Sequence, residues 1–151
     1  MADSIKVKGR LKIDHVSEGN VNSYYIPNTL VTVGKSLIAQ SIVSGGYARI
    51  DGIRYMSIGT GSSVITAADT TLGTEYLRDS TTGSTTTTST LNDTARWIGS
   101  FAIDGTNTVN EAGLFNASGV DLGTMLSRTT FADIAAISGD QINVSWAVDF
   151  S

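Results

Sequence analysis

Glu75 and Glu111 are the side chains whose type first suggests chemistry. A pair of carboxylates is what glycoside hydrolysis requires, one to give a proton and one to act as nucleophile or base. Glu111 stands in Asn110-Glu111-Ala112-Gly113-Leu114-Phe115, and no second carboxylate shares that motif. A carboxylate among apolar residues reads instead as a buried partner for an arginine or for backbone N–H groups, with Arg78, Arg96 and Arg128 as candidates. Gly59-Thr60-Gly61 follows a strand pattern, as phosphate-cradling loops do. No Gly-Lys-Ser/Thr comes after it and no strong helix opens there, so it reads as a turn or bulge. His15, the single histidine, lies beside Asp14. Without cysteine, and without a serine in a nucleophile-elbow setting, it builds no triad. Asp104, Asp121 and Asp140 are scattered singly and make no calcium loop. The expectation is a chain that is not an enzyme, with no catalytic residue, no cofactor and no metal.

One constellation remains. Lys6, Lys8, Arg10 and Lys12 alternate with Ile5, Val7, Gly9, Leu11 and Ile13. Period-two alternation puts the four cations on one face of a strand. Two readings stand side by side. The charges protect an edge strand from pairing with another chain, or they form a positive strip that docks on an acidic partner.

Composition narrows the classes. The chain has 151 residues, enough for one domain with a real core. It has 16 Gly, 1 Pro and only 16% charged residues, which suits an all-β domain with many turns. A surface so sparsely charged is one meant to be covered by partners. The absence of cysteine removes disulfides and Cys-based zinc sites. No apolar run approaches a membrane span. The N-terminus lacks the apolar stretch of a signal peptide, and the C-terminal strand leaves no tail for targeting. Of the net charge of −4, residues 1–12 contribute +3 and the remainder −7. That acidic bulk argues against nucleic acid.

The elements follow from the same patterning. A first strand over 5–13 forms a hairpin with Val21–Ile26 across Ser17-Glu18-Gly19-Asn20, and Pro27-Asn28 ends the second strand. Leu30, Val33, Leu37, Ile38 and Ile42 give a helical stripe, capped by Thr32 or Asn28 and stopped by Ser44-Gly45-Gly46. Gly34 weakens its first turn. Ile53–Ile58 reads as a strand. Asp69 is placed to cap a single helical turn, and Glu75–Arg78 leads into another strand. The Ser/Thr-rich stretch within 79–91 reads as a loop or arm, favouring an extended edge segment that orders when a partner covers it. Trp97, Gly99, Phe101 and Ile103 alternate, and Val109–Asn116 and Leu122–Phe131 follow. Ile142, Val144, Trp146, Val148 and Phe150 share one face of a final strand. The sum is an antiparallel β-sandwich of about eight strands with one or two short helices, in one domain over 1–151.

In order along the chain stand Asn28-Thr-Leu-Val-Thr-Val-Gly-Lys35, Tyr55-Met-Ser-Ile-Gly-Thr-Gly61, Asp69-Thr-Thr-Leu-Gly-Thr-Glu75 with Arg78, Asn110-Glu-Ala-Gly-Leu-Phe115, Met125-Leu-Ser-Arg-Thr-Thr-Phe131 and Ser138-Gly139-Asp140 before the Trp146 strand. From about Pro27 to the end, this resembles small virion structural proteins of tailed bacteriophages. Thr29 separates Asn28 from Leu30, and Val33 stands where such proteins carry Asn. The resemblance implies a non-enzymatic virion part, foremost a capsid decoration or cement protein bound to the head surface as a homo-oligomer. It implies assembly in the host cytoplasm and a major capsid protein or other virion protein as partner, with neither nucleic acid nor membrane. The alternatives are a tail-fibre, tail-tip or baseplate component touching a host-surface glycan, and a small carbohydrate-binding module stacking sugar on Tyr24, Tyr25, Tyr47 or Trp97. Lys6, Lys8, Arg10 and Lys12 are the expected partner-binding residues.

Overall fold

Alternating apolar and polar residues write most of the chain as strands, and the computed structural model, which describes residues 6–43 and 52–150, pairs them antiparallel throughout. In order come β1 (Val7–Ser17), β2 (Asn20–Leu30), α1 (Thr32–Val43), β3 (Tyr55–Gly59), β4 (Glu75–Ser80), β5 (Thr82–Thr86), β6 (Thr94–Ala102), β7 (Asn107–Phe115), β8 (Met125–Ala136) and β9 (Gln141–Phe150). The described residues hold nine strands and one helix. The sheet order is β4-β3-β7-β8-β2-β1-β9-β6-β5.

The sheet folds into two layers at two corners. At one, β2 pairs with β1 from Asn20 to Asn28 and then with β8 through Thr29 and Leu30. At the other, the chain passes from β4 to β5 at Thr81. Thr81 N–H donates to Arg54 O at 2.7 Å, and its hydroxyl donates to Ile98 O at 2.6 Å. The front layer is β2-β1-β9-β6-β5 and the back layer is β4-β3-β7-β8-β2. Leu11, Ile13, Phe101, Ile142, Val144, Trp146 and Val148 of the front face Met56, Ile58, Ala112, Leu114, Leu126 and Ile134 of the back. Each of the larger side chains contributes roughly 1.5–3 kcal/mol by leaving water. Trp146 is 0% exposed, on the face its alternation assigns.

Several local expectations are overturned. β2 does not end at Pro27. Thr129 Oγ1 donates to Pro27 O at 2.7 Å, so this side of Pro27 faces β8 before any ladder forms there, and the missing N–H removes no sheet bond. Asn28 caps no helix. It turns into the core at the corner, where its amide accepts from Trp146 Nε1 and from Arg10 N–H at 3.2 Å and donates to Ser127 Oγ at 3.1 Å. Gly9 interrupts the apolar face because a Cβ there would occupy the space of that amide. Asp69 begins no helical turn either. Its carboxylate accepts from Thr66 N–H at 3.1 Å and Thr66 Oγ1 at 2.6 Å. Ile42 is 79% exposed, so the buried stripe of α1 is shorter than the pattern suggests. Ser44-Gly45-Gly46 lies outside the described residues.

Gly34 has a packing reason. It lies buried where α1 crosses β8, and a Cβ there would overlap the backbone oxygen of Leu126. On an exposed helix, Gly→Ala stabilises by about 1 kcal/mol. Here the sign should reverse. Gly34→Ala should destabilise by about 1–3 kcal/mol, as overpacking does. A lower urea midpoint at unchanged slope is the expected reading.

Candidate partner-binding face

The front layer leaves its outer face open, and the register fixes which side chains meet there. Arg10 is opposite Pro27 on β2 and Ala147 on β9, and Ala147 is opposite Arg96 on β6. Lys12 is opposite Tyr25 and Ser145 in the next row, and Ser145 is opposite Ile98. These rows line a groove of about 600 Å³ whose walls include Arg10, Lys12, Tyr25, Pro27, Arg96 and Ala147. Tyr25 is 77% exposed.

The four expected cations fare differently. Lys6 is exposed ahead of β1, and Lys8 and Arg10 are exposed on it. Lys12 is committed to its own strand, with Nζ 2.8 Å from Asp14 Oδ2 and 6.0 Å from the centre of the Tyr25 ring. The hydrogen bond to Asp14 raises the Lys12 pKa, and those from Lys12 and Ser23 lower that of Asp14. Lys12 is therefore an internally balanced charge. Its place is taken by Arg96, which no local pattern marks. Arg96 belongs to β6, far away in sequence, and only the β9 register brings it to the groove. Arg96 Nε donates to Ser145 Oγ at 3.1 Å, and Arg10 Nη2 reaches Thr88 Oγ1 at 3.5 Å. Among the described residues neither arginine forms an ion pair.

The edge-protection reading of this strip fails. β1 lies between β2 and β9 over nearly its whole length, so it has no edge to protect. The stacking residues are dispersed as well. Trp97 is half-buried and donates to Ile53 O at 3.1 Å, and Tyr24 packs against the core. Tyr47 lies outside the described residues, which leaves Tyr25.

Beside the groove, the Ser/Thr-rich stretch forms edge strand β5 and a loop held by Asp93. That carboxylate accepts from the N–H groups of Thr88, Ser89 and Thr90 at 2.7–2.8 Å. The Thr90 and Thr88 N–H groups hold its pKa far below the usual carboxylate range. The loop reaches back to the sheet through Thr88 and Thr94, whose hydroxyls are 2.7 Å apart. Asp149, opposite both Lys8 and Thr94, is 8% exposed, and its Oδ1 has no hydrogen-bond partner.

The residues that suggested catalysis are each held by a separate partner within the fold. Glu111 is 0% exposed on the outer face of the back layer. Its Oε1 accepts from Gly61 N–H at 2.9 Å and Thr74 N–H at 2.7 Å, and its Oε2 accepts from Gly73 N–H at 2.9 Å and Arg128 Nη2 at 2.8 Å. Gly59-Thr60-Gly61 thus cradles the chain's own carboxylate. Arg128 also binds Asp69 at 2.6 Å. Burial opposes ionisation of Asp69, but Thr66 and Arg128 outweigh it and lower the pKa. Burial likewise opposes the Arg128 charge, and Asp69 with Glu111 reverses the sign. Glu75 takes Arg78 in a two-point pair at 2.6 and 2.7 Å, with the guanidinium 3.8 Å above the Phe115 ring. His15 lies 2.8 Å from Asp140.

Among the described residues, no group of three or more His, Cys, Asp or Glu could hold a metal ion, and no helix is long and apolar enough to cross a membrane. No protein-family model, curated protein or solved structure matches the chain.

Two outcomes test these networks. Glu111→Gln keeps the shape but removes one charge of a buried pair, and should cost about 3–5 kcal/mol in denaturant unfolding. Asp140 is lowered from 3.8 to about 2, first by the Ser17 hydroxyl, then by Ile137 N–H and His15. A folded-state pKa below the unfolded one adds stability above 3.8 that is lost as the pH falls through about 2. Asp140→Asn should therefore be less stable than wild type near neutrality, and the gap should close across that acid window.

Proposed function

We propose that this chain is a non-enzymatic structural protein of a tailed-phage virion, a decoration protein that attaches to the head through the outer face of its front layer. The carrying observation is the contrast between the two outer faces. On the back layer, Glu75, Glu111 and Asp69 are matched to Arg78 and Arg128 inside the fold. On the front layer, Arg10 and Arg96 line a groove and form no ion pair among the described residues, and Lys8 stands exposed on the same face, opposite Asp149. Charge that the fold does not use internally is available to a partner.

The virion part of the reading is supported by the motif resemblance along residues 28–150, and those motifs have structural tasks in the fold. Asn110–Phe115 supplies the carboxylate that pins the 60–74 loop, and Gly59 and Gly61 leave it room. Tyr25 and Ile98, the latter 49% exposed, add apolar contact beside the cations. A decoration protein stabilises a shell by mass action, because it binds the assembled lattice and not the loose subunit. The sparse surface charge suits a homo-oligomer on that lattice.

Pelleting with purified particles tests this. Attachment should weaken as salt shortens the screening length from about 10 Å at 0.1 M to about 3 Å at 1 M. Changing Lys8, Arg10 and Arg96 together to Gln should release a still-folded protein at moderate salt, and the stripped heads should break under lower force. Intact heads that lose host adsorption would place the protein on the tail. Attachment indifferent to both salt and the three substitutions would overturn the reading.

A further inference from the structure

We infer that Arg10 and Arg96 form a two-point carboxylate clamp, and that its occupant is an acidic polypeptide segment of the partner. The inference deepens the reading above and rests on it for the choice of face. In the cross-strand row, Arg10 and Arg96 stand on either side of Ala147. Their backbones are two strand spacings apart, about 9–10 Å. Two outward guanidinium forks therefore flank a small apolar floor.

The chain shows elsewhere what it does with buried arginines. Arg78 takes Glu75 in fork geometry, with Nε to Oε1 at 2.6 Å and Nη2 to Oε2 at 2.7 Å. Arg128 takes Glu111 through Nε at 3.2 Å and Nη2 at 2.8 Å. Arg10 and Arg96 have the same chemistry without the acid. Their contacts are hydroxyls, Thr88 Oγ1 and Ser145 Oγ, which orient a guanidinium without neutralising it. Asp149 stands one outward position from Ala147 on β9, yet its Oδ1 is unpartnered and neither arginine turns to it.

Volume and hydrogen-bond chemistry select a polypeptide. A groove of about 600 Å³ lies in the range that holds a drug-sized ligand, or a few residues of an extended segment. Tyr25 and Pro27 give it an apolar wall for the aliphatic stems of glutamate side chains. The net charge of −4, and Asp14 and Asp149 on the same face, oppose every polyanion alike, so hydrogen-bond chemistry separates the candidates. A phosphate backbone brings acceptors alone. A polypeptide brings carboxylates for the arginines and N–H donors that a nearby carboxylate can accept.

The probes are capped hexaglutamate and an oligothymidylate of matched charge, titrated into the full chain by calorimetry. Hexaglutamate should bind the wild type, and Arg10→Gln with Arg96→Gln should weaken it at least about tenfold. Arg10→Lys with Arg96→Lys keeps the charge but loses the fork, and should still weaken binding by about threefold or more. On the wild type, the Nε–H resonances of Arg10 and Arg96 should shift with peptide while those of Arg78 and Arg128 stay in place, a reading that needs no variant to fold. Lysine variants binding as well as wild type, unmoved Arg10 and Arg96 resonances, or oligothymidylate bound as tightly as hexaglutamate would each overturn the clamp. If the clamp fails here while particle attachment still depends on Lys8, Arg10 and Arg96, the decoration reading stands alone. If hexaglutamate binds but particles do not, the clamp stands and the decoration reading falls.

Discussion

A single buried carboxylate, Glu111, organises the back half of the molecule. A desolvated carboxylate is tolerable only when its lone pairs are filled. Glu111 fills them from three places far apart in sequence: Gly61, the Gly73–Thr74 pair and Arg128. The 60–74 loop must then lie flat against β3 and β7. That closeness explains the glycines, since a Cβ at Gly59 would come within 2.7 Å of Glu111 Oε1 and one at Gly61 would overlap it. With the loop pinned, Leu72 covers Phe115 and Met125, and these with Val31 make a second apolar cluster outside the main core. The start of α1 is tied to the same loop, because Thr32 N–H donates to Ala67 O at 2.7 Å.

This arrangement makes the two layers unequal. The back layer is covered on both faces, inward by the main core and outward by the loop and α1. That is why β7 is buried from Val109 to Phe115 without alternation. The front layer keeps alternation along β9 from Gln141 to Val148, breaking only at the buried Asp149, and its outer face is open along that run. Charge follows the same division. Where arginine is covered, the fold supplies its acid. Among the described residues, Arg10 and Arg96 on the open face meet only the hydroxyls of Thr88 and Ser145.

What could be read in the sequence depended on how local each signal was. Period-two alternation in β9 is local, so Trp146 and its neighbours were legible as core. Glu111 was legible as a buried acid with an arginine partner because its own neighbours are apolar, but the choice of Arg128 over Arg78 or Arg96 is a matter of register. The helical turn expected at Asp69 failed because Asp69 binds back to Thr66 and across to Arg128. β2 passes through Pro27 because the sheet has a corner there, and a corner has no one-residue signature. The order of the loop after β5 comes from backbone N–H groups collected by Asp93, and backbone donors are the same in every sequence. Arg96 was missed for the reason that makes it interesting, since only two strand pairings carry it to the basic face.

The sheet topology also constrains how this protein can associate. An open sheet invites partners to add a strand at its edge. Here the terminal strands of the order, β4 and β5, are consecutive in the chain, and Thr81 bonds to both layers at the passage between them. Trp97 of β6 closes the same seam by donating to Ile53 O, just ahead of β3. The two ends of the sheet are therefore joined at this corner, while β1 and β9, inside the order, have their backbone bonds already made on both sides. A partner that docked on such a face would find its backbone already fixed by ladders on both sides, so little backbone entropy would be lost. The basic row lies on an interior strand: β1 is paired on both sides, it has no edge to guard, and the sheet holds its charges on the outer face.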